Sequence, residues 1–248
     1  MRRVLLLGGT SEARDLARAL AGHVALTVSL AGRTRAPELD GVATRIGGFG
    51  GAEGFARYLD DAGIQAILDA THPFAAAMSR RSAEVAARAG VPYVMLRRPG
   101  WQAAEGDDWI RVPDTAQAAL IPGPEDRVFL ATGRQTLLDF APMQAAWCWC
   151  RQIDPPEEVF PFPKGEFLVG RPPFPETEEI ALFQRLGVTL LVVKDAGGAA
   201  SRSKLDAARA LGIRVIMIDR PDLSDLPQVA SVPDALAWIE DQLCPSDA

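Results

Sequence analysis

Gly8-Gly9-Thr10-Ser11-Glu12 is the first run in the chain whose residue types suit a ligand. A double glycine followed by two hydroxyl residues, where an apolar run gives way to a helical pattern, points backbone N–H groups and a helix N-terminus at whatever binds there. That favours a phosphate. The run is not G-x-G-x-x-G, and a two-glycine turn also serves simply to reverse the chain. The second apolar run carries Ser29 and is followed by Gly32, Arg33 and Arg35. A site built for NAD would offer Asp or Glu to the ribose hydroxyls at this point. A hydroxyl with guanidinium groups suits a 2′-phosphate instead, so the pair Ser29 and Arg33 favours NADPH over NADH.

Two further loops carry reactive types. Asp69-Ala70-Thr71-His72-Pro73-Phe74 follows a short apolar run and holds one of only two histidines. His23 reads as a surface residue in a helix-to-strand connection, whereas His72 either bonds a ligand or holds its own turn. Lys194-Asp195-Ala196-Gly197-Gly198 leads into Ser201-Arg202-Ser203-Lys204, which opens a helix. Lys194, Arg202 and Lys204 gathered at strand ends, in a chain with 26 basic against 32 acidic residues and a net charge of -6, form a candidate carboxylate or phosphate receptor. Arg134, after Gly133, and Arg171 belong to the same mouth. Some chemistries lose their motifs. Neither tyrosine begins Y-x-x-x-K, and there is no G-x-x-x-x-G-K-[ST] and no G-x-S-x-G.

The elements that must position these loops follow from the apolar pattern. Val4–Leu7, Leu26–Leu30, Ala66–Leu68, Tyr93–Leu96, Val128–Ala131, Leu190–Val193 and Arg214–Ile218 are short aliphatic runs. Segments with helical spacing separate them: Ser11–Ala21, Phe55–Ala62, Met78–Ala89, Thr177–Leu186 and Ser203–Leu211. Continuous apolar strands alternating with amphipathic helices predict an α/β doubly wound fold with parallel sheets. The 48% hydrophobic and 23% charged content is globular usage. No aliphatic run approaches the roughly 18 to 20 residues a spanning helix needs. The acidic balance argues against nucleic acid held by general electrostatics. An odd cysteine count of 3 and the absence of an export signal predict a reducing, cytoplasmic setting. Cys148-Trp149-Cys150 reads as a strand with buried sulfurs, and no metal site is expected.

The sequence repeats itself. Val4–Gly9 with Asp15-Leu16-Ala17 lines up with Val128–Gly133 and Asp139-Phe140-Ala141. Arg98-Pro99 corresponds to Arg220-Pro221, and Val112-Pro113-Asp114 to Val232-Pro233-Asp234, each of the last two preceding an alanine-rich apolar helix. Two similar Rossmann-like parallel-sheet domains, 1–122 and 123–248, with a cleft between them are therefore expected, the first binding cofactor and the second substrate. Which sheet takes up the repeated final strand and helix stays open. The stretch Asp154 to Pro175, with Pro155, Pro156, Pro161, Pro163, Pro172, Pro173 and Pro175 among Phe160, Phe162, Phe167 and Phe174, reads as a long segment without regular structure. It is a stiff linker or a ligand-contacting loop.

Taken together, Gly8-Gly9-Thr10-x-Glu12-x-Arg14, Ser29-x-Ala31-Gly32, the run from Asp69 to Ala75, Arg98-Pro99-x-Trp101, Gly170-x-Pro172-Pro173-Phe174 and Lys194-Asp195-x-Gly197 followed by Lys204 resemble the precorrin-6A reductase family of cobalamin biosynthesis. The resemblance covers nearly the whole chain. Ala196 departs from it, standing where a serine would be expected. The resemblance implies NADPH-dependent reduction of precorrin-6A to precorrin-6B, with hydride going to one carbon of the macrocycle and a proton to its neighbour. It implies cofactor contacts from Gly8, Gly9, Thr10, Ser11, Glu12, Ser29, Gly32, Arg33, Thr71 and His72. Carboxylate contacts would come from Arg14, Arg134, Lys164, Arg171, Lys194, Arg202 and Lys204, and a proton donor from His72, Lys194, Asp195 or water. The partners expected are a polycarboxylate tetrapyrrole and neighbouring pathway enzymes. A two-domain nucleotide-sugar transferase or a non-catalytic anion-binding module are the rival readings.

Overall fold

The structure, a computed structural model, describes residues 1–32 and 41–243. In chain order the first elements are β1 (Arg3–Leu7), α1 (Ser11–Leu20), β2 (Ala25–Leu30), β3 (Ala43–Ile46), α2 (Gly51–Asp61), β4 (Ala66–Asp69), α3 (Ala76–Ala89), β5 (Tyr93–Leu96), β6 (Trp109–Val112) and α4 (Thr115–Ala119). There follow β7 (Arg127–Ala131), a 3-10 helix (Arg134–Phe140), β8 (Trp147–Gln152), β9 (Gly165–Val169), α5 (Glu176–Leu186), β10 (Leu190–Lys194), α6 (Ser203–Leu211), β11 (Arg214–Ile218), β12 (Gln228–Val229) and α7 (Val232–Leu243).

Every ladder is parallel, in two six-stranded sheets ordered β12-β5-β4-β1-β2-β3 and β6-β11-β10-β7-β8-β9. The expected α/β class with two Rossmann-like sheets is what the chain adopts. Central strands such as Val4–Leu7 and Leu190–Val193 are buried on both faces, which is why they read as unbroken aliphatic runs rather than alternating ones. In the first sheet, one face is covered by α1 and α7. Ala13, Leu16, Ala17 and Leu20, spaced for one helical stripe, meet Leu6, Val28 and Leu68 together with Ala235 and Ile239. Phe55, Leu59 and Val85 of α2 and α3 fill the other face against Leu5, Leu7 and Ile67.

The domain boundary differs from the expected 122/123. The chain divides into a first unit of Met1–Pro99 with Pro221–Ala248 and a second unit of Gly100–Arg220. The reason is reciprocal exchange of edge strands. β6 pairs with β11 in the second sheet (Ile110 opposite Ile216), and β12 pairs with β5 in the first (Val229 opposite Leu96). The changeovers fall at the repeated Arg98-Pro99 and Arg220-Pro221. Because the two halves repeat, each exported strand meets an edge equivalent to its own, so apolar pattern alone is satisfied by either attachment.

A second correction concerns Asp154 to Pro175. β9 lies inside it and pairs with β8 from Cys148 opposite Gly165 to Gln152 opposite Val169. Pro161 and Pro163 precede the strand and Pro172 follows it, so no proline removes a ladder donor. Phe160 closes edge-on against Phe167 with centroids 4.9 Å apart.

Candidate functional site

In the first unit, the carboxyl ends of β1, β2, β3 and β4 carry the residues of interest. Thr10 caps α1: its hydroxyl oxygen accepts from the Ala13 N–H at 3.1 Å and donates to the Ala70 carbonyl at 2.8 Å, tying the β1 turn to the end of β4. Gly9 has φ of 137°, a conformation L side chains rarely adopt, and a Cβ placed there would meet nothing within 4 Å. Gly8 N–H donates to the Ser29 carbonyl at 2.9 Å, and a Cβ on Gly8 would sit 3.1 Å from Leu30 and 3.3 Å from Val28. The turn is thus a close-packed base with open space before it, which fits the pyrophosphate of a dinucleotide. Ser11 Oγ donates to Glu12 Oε2 at 3.0 Å, and the same oxygen accepts from Arg98 Nη1 at 2.7 Å. Arg14 is exposed one turn into α1.

Ser29 is buried at the end of β2 and accepts from Arg45 Nη1 at 2.7 Å. Arg45, on the neighbouring β3, also donates to the Gly47 and Gly48 carbonyls, each at 3.0 Å, and its guanidinium lies 3.7 Å from the Phe49 ring centroid. Arg45 was not among the residues expected from sequence. Its strand, Ala-Thr-Arg-Ile, is short and mostly exposed, so no apolar pattern marks it. A signal was present in the glycine run Gly47-Gly48-Phe49-Gly50-Gly51 just beyond it. Gly32 has φ of 74° and packs on Ile46, which identifies it as a turn residue. Arg33 lies outside the described residues.

At the end of β4, the fully buried Asp69 accepts from Tyr93 Oη at 2.7 Å and from the Thr71 N–H at 3.0 Å. Burial, reinforced by the Asp69 charge, pushes the Tyr93 phenol well above its ordinary range, so it stays a donor to the carboxylate. Thr71 Oγ1 lies 3.4 Å from Ser79 Oγ, and His72 Nδ1 accepts from the Phe74 N–H at 3.3 Å. That bond makes Nε2 the proton-bearing nitrogen of the neutral ring. Sequence alone did not identify Asp69 as the anchor of this loop.

The second unit repeats the scaffold with different ends. Lys194 Nζ donates to the Thr132 carbonyl at 3.0 Å. Arg202 pairs with Asp206 at 3.2 Å. Lys204 donates to the Ser201 carbonyl and lies 5.7 Å from the Trp101 ring centroid. Burial lowers the Lys204 ammonium to about 8, with Glu179 opposing and Arg151 adding to the shift. Arg134 is exposed, with no hydrogen bond or ion pair among the described residues, and Arg171 is exposed and pairs with Asp154 at 3.1 Å. Two expected residues stand elsewhere. Lys164 immediately precedes β9, at the amino end of the sheet, where parallel strands offer no common mouth with residues at the carboxyl ends. Asp195, a proton-donor candidate from sequence, is an anchor: its oxygens accept from the Trp101 N–H and Arg111 Nη2, each at 3.0 Å, and Arg220 Nη2 lies 3.6 Å away. A Cβ on Gly100 would come 2.7 Å from Asp195 Oδ2.

Sequence reasoning also missed Arg151 and Glu179. They form a two-pronged ion pair at 2.6 Å on each arm, with Glu179 1% exposed and the guanidinium 4.2 Å from the Phe174 ring centroid. A cavity of about 460 Å³ beside them is lined by Leu168, Phe174, Leu182 and Arg185. Cys148 and Cys150 are buried as expected, and burial raises both thiols to about 12. Among the described residues no helix is long and apolar enough to cross a membrane.

Comparison with known proteins gives a consistent family. Residues 3–240 match the profile described as "Precorrin-6x reductase CbiJ/CobK". The Precorrin-6A reductase of Rhodococcus erythropolis is 47% identical over 243 residues, spanning 96% of this chain and 98% of that protein. The Cobalt-precorrin-6A reductase of Priestia megaterium is 32% identical over 235 residues, spanning 89% and 91%. A solved structure of CobK precorrin-6A reductase superposes with a TM-score of 0.91 at 42% identity, covering 98% of this chain and 97% of that one.

Proposed function

The chain belongs to the precorrin-6x reductase family, and from that premise we propose that it reduces precorrin-6A to precorrin-6B with NADPH as the hydride source. The observation that carries the cofactor is the Gly8-Gly9-Thr10 turn, close-packed behind and open in front, beside Ser29 at the end of the next strand. When bound, NADPH supplies a hydride to one carbon of the macrocycle and leaves as NADP⁺, while a proton joins the neighbouring carbon. The protein's own contribution is positioning. The backbone of Gly8, Gly9 and Thr10 and the start of α1 hold phosphate, and Thr71 and His72 border the nicotinamide. Arg14, Arg134, Arg171, Lys194, Arg202 and Lys204 are the carboxylate receptors. With Asp195 engaged as an anchor, the proton comes from His72, Lys194 or water.

Metal-free precorrin-6A is favoured over its cobalt form, because relatives named for the metal-free substrate share 42–47% identity and those named for the cobalt form 25–32%. Family membership leaves the nucleotide-sugar transferase and the non-catalytic module without support. The test is absorbance of the nicotinamide band with purified protein. NADPH is expected to be oxidised only after precorrin-6A is added, one equivalent per macrocycle, and much faster than NADH. Failure to bind NADPH, or equal use of both cofactors, overturns the reading.

A further inference from the structure

We infer that Arg45 is the specificity-determining cation that selects a dinucleotide carrying a 2′-phosphate, an inference that rests on the NADPH reading above. In a sheet of this order, the ribose bearing that phosphate lies over the end of the strand next to the glycine turn. Here that strand is β2, its end is Ser29, and the side chain joined to Ser29 is Arg45.

Three features make Arg45 a prepared phosphate receptor rather than a solvated loop charge. Its position is fixed on four sides, by Ser29 Oγ, the carbonyls of Gly47 and Gly48, and the Phe49 ring. These bonds use both hydrogens of Nη1 and one of Nη2. Among the described residues Nε donates to nothing, and in the planar fork the Nε hydrogen stands beside an Nη2 hydrogen, the geometry that receives two oxygens of a phosphate. Finally, among the described residues no carboxylate pairs with it. The register-equivalent place in the second unit shows the contrast. Arg151 stands where Ser29 does, and its fork is filled by Glu179.

The neighbouring backbone has been shaped to this end. Gly54 of α2 sits so close to the Phe49 carbonyl that a Cβ would overlap it, so glycine there lets Phe49 lie under the guanidinium. Ser29 accepts rather than donates toward Arg45, so that bond does not use its hydroxyl hydrogen.

The experiment is calorimetric binding of NADPH, NADH, 2′,5′-ADP and 5′-AMP to the full chain and to Arg45→Gln, Arg45→Lys and Arg33→Gln, with circular dichroism melts as a folding control. Arg45→Gln is expected to weaken NADPH and 2′,5′-ADP about 10- to 100-fold, the range of a lost charged hydrogen-bond pair, and to leave NADH and 5′-AMP within about twofold. Arg45→Lys, which keeps charge without the fork, should fall between. Equal weakening of all ligands, no weakening of any, or loss of selectivity only in Arg33→Gln overturns the assignment to Arg45. If the wild-type chain binds none of the four, the NADPH reading itself fails, and the wild-type arm reports that separately. If Arg45→Gln does not fold, Arg45→Lys decides: unchanged selectivity there overturns the proposal.

Discussion

The two units share one strand order and differ at the strand ends. Where the first unit has Gly8, the second has Thr132, whose carbonyl receives Lys194. Where the first turns into the capped helix α1, the second turns into a 3-10 helix from Arg134 with no side-chain cap. Where the first has Ser29 joined to Arg45, which pairs with no carboxylate among the described residues, the second has Arg151 locked to Glu179. Among the described residues, it is the first turn that combines small residues, an aligned helix N-terminus and a neighbouring arginine, the parts the proposed dinucleotide site would use. On the proposed reading a duplicated scaffold serves two uses through its loops, an assignment that the fold alone does not make.

The sharpest way to break this comparison is to unlock the second unit. Glu179→Ala leaves Arg151, 11% exposed on its side chain, without its partner. Removing one member of a buried pair costs about 3–5 kcal/mol, so urea unfolding should show a large drop, whereas Arg45→Ala, which breaks partly exposed hydrogen bonds and a ring contact, should lose about 1–2 kcal/mol. Comparable losses in both would mean that Arg45, too, serves mainly stability. Next in size is a transplant. Gly8→Thr puts the second unit's residue into the first, against Leu30 at 3.1 Å and Val28 at 3.3 Å. NADPH affinity should fall at least about tenfold, a loss of about 1.4 kcal/mol or more, with precorrin-6A binding much less affected. Retained NADPH binding would show that the tight glycine base is not what distinguishes the units.

These contrasts also mark what sequence could and could not reveal. The central strands were legible because burial on both faces leaves an aliphatic run, and the repeat of residue types was enough to reveal two sheets. β3 and β9 were not, since edge strands such as Ala43–Ile46 face solvent and lose the apolar signal. The exchange of β6 and β12 was hidden by the repeat itself, each edge being equivalent to the other. At the site, the glycine turn and the loop at His72 were readable from local order. Arg45 and Asp69 depend on which strands become neighbours, and the Arg151–Glu179 pair on the packing of α5 against β8. Ser29 and Arg45 are 16 residues apart in sequence and meet only through the β2–β3 register.

A smaller effect separates the equivalent positions Thr10 and Arg134. Thr10→Ala removes the α1 cap and should cost about 1 kcal/mol of stability as well as NADPH affinity. Arg134→Ala removes an exposed side chain and should stay within about 0.5 kcal/mol in the same unfolding assay, raising only KM for precorrin-6A. A stability loss in the second comparable to the first would contradict the different helix types at the two starts.

The smallest effect on binding is the most diagnostic of the second unit's chemistry, because binding and stability then move in opposite directions with pH. Lys204 titrates near 8 in the folded chain against an ordinary 10.5, chiefly because burial disfavours its charge. Between those values the unfolded chain holds the proton that the folded chain has released, so stability attributable to Lys204 rises with pH across that window. Its attraction for a carboxylate does the reverse, fading as pH passes upward through about 8. In wild type, KM for precorrin-6A should rise about twofold to fivefold across that step, the size of a weak ion pair, and Lys204→Met should flatten both trends. Glu179→Gln provides the internal control. Glu179 raises the Lys204 value, so neutralising it should move the KM step to lower pH. A step that stays in place in Glu179→Gln, or survives in Lys204→Met, would assign the titration to another group and remove Lys204 from the carboxylate receptors.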